Sequence, residues 1–116
     1  MTASGIYGDG WVQQRSRFAL PPGDAGALTI RADVLPEPQQ RLEVILDGRV
    51  VSSERIDGGA MDLRIPVEAS TAARSVELRW AVARPLAEDD PREASALLRF
   101  LDITPARAPA TLRVPA

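Results

Sequence analysis

Two short stretches hold the residue types from which a binding site can be made. Tyr7, Asp9 and Trp11 fall within Gly5-Ile-Tyr-Gly-Asp-Gly-Trp11. An aromatic ring stacks on the apolar C–H face of a pyranose while a carboxylate accepts hydrogen bonds from its hydroxyls, the usual mix of apolar wall and few polar groups. The competing role is structural: Trp11 plugs an open end of the fold and Asp9-Gly10 makes the turn into the first strand. That role is the preferred one. Asp90 and Arg92 form the second set. They can hold a ligand together, or Arg92 can bond loop carbonyls while Asp90 caps the amides that follow. Loop closure is preferred.

Glu88, Asp89, Asp90 and Glu93 place four carboxylates within six positions, oxygen ligands of the kind that chelate Ca²⁺. They lack EF-hand spacing and Pro91 stiffens the run, so a solvated loop is expected and no metal. Arg15, Arg17, Arg31 and Arg64 are expected on the outward faces of strands. Their guanidinium forks suit carboxylates or phosphates of an acidic polysaccharide. They equally suit cross-strand pairing with Asp33, Asp62 and Glu43, which is preferred. Trp80 is in phase with Val76, Leu78 and Val82, so it is read as core.

The inventory for catalysis is thin. The 116-residue chain contains no His and no Lys, so all 14 basic residues are Arg. The commonest general base, the commonest neutral metal ligand and the amine nucleophile are therefore missing. Arg stays protonated and moves no proton at neutral pH. A pair of acids for glycoside hydrolysis would need a shared apolar cleft, and nothing places two of the 16 acids in one. No enzyme, no cofactor and no catalytic residue is expected. A net charge of −2 supplies no basic footprint for nucleic acid. With no Cys there is neither a disulfide framework nor a thiolate metal site. No apolar run approaches the roughly 20 residues of a membrane span, and no basic-then-apolar leader is visible. The all-Arg, Ala- and Pro-rich usage resembles GC-rich bacterial coding, and a place in the bacterial cytoplasm within a larger protein is expected.

The elements that must position these residues read as strands. The plainest is Arg41 to Arg55, where Asp47-Gly48 is the dipeptide of a two-residue type I′ hairpin turn. Closing there opposes Leu46 to Arg49, Val44 to Val51 and Leu42 to Ser53 on one face. On the other, Ile45 meets Val50, Glu43 meets Ser52, and Arg41 meets Glu54 as an opposite-charge pair. Val12 to Leu20, Ala27 to Val34, Met61 to Val67 and Ser75 to Ala83 alternate apolar with polar, the period of half-buried strands. Residues 1 to 10 read as a lead-in loop, and 84 to 95 as irregular. Asp90-Pro91-Arg92-Glu93 looks like a helix start, but Leu97 to Ile103 also fits a strand with both faces covered, and strand is preferred for 91 to 101. The Pro-rich stretch from Pro105 to Ala116 is a linker or a short edge strand.

Short alternating strands separated by turns imply an all-β, two-layer antiparallel β-sandwich, jelly-roll-like, of seven to eight strands. It occupies residues 1 to 104, with 105 to 116 as a tail. Gly5-Ile-Tyr-Gly-Asp-Gly-Trp-Val with the Arg-rich strand ending Phe-Ala-Leu-Pro, the Leu-Asp-Gly-Arg-Val hairpin, and Asp90-Pro-Arg92 through Ser95 together resemble a known group. It is the β-sandwich accessory domains attached to bacterial glycosyltransferases and other cell-surface polysaccharide proteins. The resemblance spans roughly Gly5 to Ile103 and departs at Ala94 and in the Pro-rich tail. It implies a carbohydrate-binding or partner-packing module with no catalytic residue. The expected function is thus a non-catalytic module for a polysaccharide or oligosaccharide, beside a sister catalytic domain. The alternative is a structural spacer or assembly domain that packs on another protein.

Overall fold

A computed structural model describes residues 3–105, and every described element is a strand or a turn. The strands are β1 (Ala3–Ile6), β2 (Trp11–Leu20), β3 (Gly26–Val34), β4 (Arg41–Leu46), β5 (Arg49–Arg55), β6 (Gly59–Val67), β7 (Arg74–Trp80), β8 (Arg84–Ala87), β9 (Asp90–Ala94) and β10 (Ala96–Pro105). The order β5-β4-β7-β2-β10-β3-β6, with β1 on β2, makes an antiparallel eight-stranded sheet, and β8-β9 forms a separate hairpin.

That sheet folds into two layers at one corner. β10 pairs with β2 only through Ala96 opposite Val12 and Leu97 opposite Trp11. It then turns away and runs beside β3 from Ala96 opposite Val34 to Pro105 opposite Gly26, with an irregularity between Leu98 and Phe100. The layers β5-β4-β7-β2 and β10-β3-β6 close on a single core. Val12, Phe18 and Leu20 of β2, Leu28, Ile30, Ala32 and Val34 of β3, and Leu42 and Val44 of β4 belong to it. So do Ile65 and Val67 of β6, Val76, Leu78 and Trp80 of β7, and Ala96 and Leu101 of β10. This is the expected all-β sandwich, because a strand whose every second residue is apolar can hide that face only against another sheet.

The differences are local. Residues 3 to 6 are a strand rather than a lead-in loop, and β1 is the eighth member of the main sheet. Gly5 allows this: it sits at φ 74°, and a Cβ there would come within 2.1 Å of the Arg15 carbonyl oxygen. The central hairpin turns where expected, with Asp47 and Gly48 both at positive φ. Its register then slips. Ile45 opposes Val50, but Val44 opposes Ser52 and Arg41 opposes Arg55, because Val51 is an extra residue between the two segments. β5 is an edge strand, and such a bulge twists an edge away from further pairing. Gln14, in phase with the buried Val12 and Ser16 of β2, is nonetheless exposed and donates through Nε2 to the Ala81 carbonyl at 2.9 Å. Residues 84 to 94 form the β8-β9 hairpin, so Asp90 to Glu93 begins no helix and 91 to 101 is extended, apart from Ser95 between β9 and β10. The proposed tail beyond Pro105 lies outside the described residues.

Candidate ligand-binding site

The two candidate sets come together at one place, although 83 positions separate Asp9 from Arg92 in the chain. The link from β1 to β2 is a tight turn: the Tyr7 amide donates to the Trp11 carbonyl at 2.8 Å and the Gly10 amide to the Tyr7 carbonyl at 2.9 Å. Gly10 makes it possible at φ 100°. The turn is tied to the second layer by the Leu98 amide, which donates to the Gly10 carbonyl at 2.9 Å.

The β8-β9 hairpin is rooted on Val82. Buried Gln40 grips both backbone groups of that residue, its Oε1 accepting from the Val82 amide at 3.1 Å and its Nε2 donating to the Val82 carbonyl at 2.8 Å. The Ser95 hydroxyl donates to the same carbonyl at 2.7 Å. Ser95 in turn donates its amide to Val12 and accepts from Leu35. A side chain thus does the pairing work of a strand at the point where β7 ends.

Arg92 projects from β9 between two carboxylates. It donates to Asp90 through Nε at 3.0 Å and Nη2 at 2.9 Å. It donates to Asp9 through Nη1 at 3.2 Å and Nη2 at 3.0 Å. Its Cζ lies over the Tyr7 ring, 5.0 Å from the centroid, close enough for a cation–π attraction. The Tyr7 hydroxyl donates to the Glu93 carbonyl at 3.3 Å. These hydrogen bonds hold the Asp9 and Asp90 carboxyls below the usual carboxylate value and push Arg92 up. Both acids are therefore ionised at neutral pH, and the cluster of two carboxylates and one guanidinium carries a net negative charge.

Such a cluster accepts hydrogen bonds from hydroxyl groups on its solvent side, since carboxylate oxygens have lone pairs beyond those that Arg92 uses. Nη1 of Arg92 makes one hydrogen bond among the described residues, so its second hydrogen is also available. Asp90 Oδ1 accepts from the Arg92 amide at 3.3 Å, while the Arg92 guanidinium bonds the Asp90 and Asp9 carboxylates rather than the loop carbonyls expected of it. One face of Tyr7 is occupied by the guanidinium. Trp11 is half-buried, between the exposed platform and the buried plug; its neighbour Val12 is fully buried, so the indole lies on the face away from the core. Trp80 is in the core at 2% exposure.

Among the described residues no three acids gather as a metal site. On the outer face of the β10-β3-β6 layer Arg31 pairs with Asp62 across the β3-β6 ladder, the cross-strand pairing expected, whereas Arg64 bonds Asp62 two residues away on its own strand. Arg15 and Arg17 instead flank Glu77, with Arg79, on the outer face of the other layer. Neither Glu77 nor Arg79 was singled out in the sequence, although alternation along β7 places both outward.

No family model matches the chain, and no curated protein matches it. Among solved structures it is similar to a family 35 carbohydrate binding module from an environmental isolate. That match has 15% identity and a TM-score of 0.56, and covers 91% of this chain and 84% of that one. A family two carbohydrate esterase from Clostridium thermocellum, in complex with cellohexaose, aligns at 16% identity and a TM-score of 0.46, over 92% of this chain and 32% of that one. The first likeness shows a shared fold: this chain has the same β-sandwich architecture as that module.

Proposed function

We propose that this chain is a non-catalytic glycan-binding module working as part of a larger bacterial glycan-related protein, beside a catalytic partner such as a glycosyltransferase. The observation that carries the reading is the Tyr7–Asp9–Asp90–Arg92 cluster, which unites both candidate sets where the β1-β2 turn meets the β8-β9 hairpin. Asp9 and Asp90 accept sugar hydroxyls, Arg92 fixes their orientation in advance, and the half-buried Trp11 offers apolar surface for stacking. Holding the polar groups in place before the ligand arrives cuts the ordering cost of binding. Two carboxylates kept ionised by an arginine are poor proton donors at neutral pH, which supports a binding role over hydrolysis. The family 35 module of like fold supports the ligand class by analogy.

The test is titration of Trp80→Phe, in which Trp11 is the remaining indole, with a panel of neutral oligosaccharides. A saturable change in Trp11 emission that Asp9→Asn abolishes is the expected result. Silence across the panel, an unchanged titration in Asp9→Asn, or wild-type affinity of Trp11→Ala measured by calorimetry would overturn the reading. A second reading, an assembly domain, is favoured by the edge strand β5, where Val50 is 56% and Val51 39% exposed. Concentration-dependent self-association lost in Val50→Thr, together with silence toward sugars, would support it.

A further inference from the structure

The outer face of the β5-β4-β7-β2 layer carries a different arrangement of charge. Arg15 of β2 lies directly opposite Arg79 of β7, and Arg17 lies opposite Glu77. Across the other edge of β7, Glu43 faces Arg79 and Ile45 faces Glu77. Like charges placed directly opposite weaken a sheet, so the Arg15–Arg79 pair is a cost that the fold retains. Glu77 offsets part of it. Its side chain is only 9% exposed, with Arg79 Nε at 2.6 Å, Arg17 Nε at 3.2 Å and Arg15 Nε at 3.4 Å from its oxygens. The Arg79 guanidinium holds the Glu77 carboxyl below the usual value. Among the described residues the other acid paired with these arginines is Glu43, 3.9 Å from Arg79 Nη1. Three guanidiniums therefore face two carboxylates, a local positive charge on a chain whose net charge is −2.

How the nitrogens are used sets this cluster apart from Arg92 and Arg64. Arg92 spends all three of its nitrogens on Asp9 and Asp90. Arg64 spends Nε and Nη2 on Asp62. Around Glu77 the close approach is through Nε in all three arginines, and among the described residues no terminal nitrogen of Arg15, Arg17 or Arg79 makes a hydrogen bond. The side chains are 63%, 63% and 44% exposed. One nearly buried carboxylate thus holds three forks by their stems and leaves the tips of Arg15 and Arg17 outward, with the Arg79 tip 3.9 Å from Glu43. Planar forks of this kind match the oxygens of carboxylate and sulfate groups two at a time. A depression of about 390 Å³ on this side is lined by Gln14, Arg15, Arg79 and Trp80.

We propose that Arg15, Arg17 and Arg79 form a second binding site, for the carboxylate or sulfate groups of an acidic polysaccharide. The site shares no residue with the Tyr7–Arg92 cluster and stands whether or not that cluster binds neutral sugars. Glu77 is its positioning residue.

Affinity gel electrophoresis of the full chain tests it, with polygalacturonate, chondroitin sulfate, neutral pullulan and single-stranded DNA as probes at low salt. The expected result is retardation by one or both acidic polysaccharides, weakened as ionic strength rises to about 0.15 M, where the Debye length is about 8 Å. Which of the two retards the protein distinguishes carboxylate from sulfate recognition. Arg15→Gln/Arg17→Gln leaves the Arg79–Glu77 bond intact and should lower affinity by about tenfold or more, as expected for lost charge-assisted hydrogen bonds. Arg49→Gln/Arg55→Gln removes the same charge from β5 and should change affinity by less than about twofold. Arg15→Lys/Arg17→Lys keeps charge and fold but loses the forks, and should fall between wild type and the Gln pair. The proposal is overturned by no retardation with either acidic polymer, by equal losses in the two Gln pairs, by wild-type affinity in the Lys pair, or by equal retention on DNA.

Discussion

Gln40→Leu is expected to loosen the root of the hairpin that carries Asp90 and Arg92. Gln40 is 2% exposed, and its amide accepts from the Arg41 and Val82 amides and donates to the Val82 carbonyl. Leu has nearly the same volume and none of these bonds. Three hydrogen bonds at a net value near 1 kcal/mol each give about 3 kcal/mol, and a stranded Val82 amide adds about 1 kcal/mol. The greater apolar burial of Leu returns about 1 kcal/mol. The net loss is about 3 kcal/mol, or a melting point lower by roughly 10 °C for a chain of this size. Urea unfolding followed by Trp80 emission measures it. Ser95→Ala removes one bond to the Val82 carbonyl, which keeps Gln40 as donor, so it should cost only about 1 kcal/mol. The double variant should lose about 1 kcal/mol more than the sum, because only then does the Val82 carbonyl lose both donors. A Gln40→Leu loss under about 1 kcal/mol, or strict additivity with Ser95→Ala, would show that water satisfies Val82 and would refute the reasoning.

Gly5→Ala should detach β1, since the added methyl meets the Arg15 carbonyl at 2.1 Å and φ is 74°. A loss of about 2 kcal/mol or more is expected, read by the urea midpoint and by faster amide exchange in β2, whereas Gly8→Ala, with nothing within 4 Å, should be silent. Asp9, Asp62, Asp90 and Glu77 all titrate below their ordinary values of 3.8 and 4.5 in the folded chain. Their stabilisation is present above those values and lost as pH falls through the lowered ones. With no His, nothing of that type titrates between about pH 5 and pH 8, so stability should be level there and fall below about pH 4. Arg92→Met should flatten the part due to Asp9 and Asp90, and an unchanged acid slope would sink the assignment. In Trp80→Phe, Trp11 should be quenched by acrylamide to a degree between free indole and a core residue. The substitution should also cost less than a usual aromatic truncation, because the Trp80 Nε1 is buried with no partner among the described residues.

The fold was legible because strands announce themselves locally. Leu28, Ile30, Ala32 and Val34 stand at every second position and are all buried, and Asp47-Gly48 names its own turn. What failed was any inference that needed the register of a whole ladder. A single inserted residue, Val51, moves Arg41 from Glu54 to Arg55, and alternation on either side of a bulge looks the same as alternation through it. β1 was missed because Ala3-Ser-Gly-Ile is short, small and broken by Gly5, so it carries no period of its own. The helix start at Asp90-Pro91 was a real local signal, overridden by pairing of β9 with β8.

The site residues were legible by type but not by partner. Tyr7, Asp9, Asp90 and Arg92 were all singled out, yet nothing within either stretch says that Arg92 reaches across to Asp9, because that contact is created by where two turns land after both layers have formed. Cross-strand arginines show the same limit from the other side. In the sequence Arg15, Arg17, Arg31 and Arg64 are equivalent outward residues beside available acids. Only the pairing of β2 with β7 puts Arg79 opposite Arg15 and gives three guanidiniums one buried carboxylate to share, while Asp62 is divided between Arg31 and Arg64. The sign of a residue is written in the chain, but the ratio of forks to carboxylates on a face is a property of the ladder. Which nitrogens are engaged, Nε and Nη2 of Arg64 at Asp62 but Nε alone of Arg17 and Arg79 at Glu77, then decides how much of each guanidinium the fold leaves turned outward.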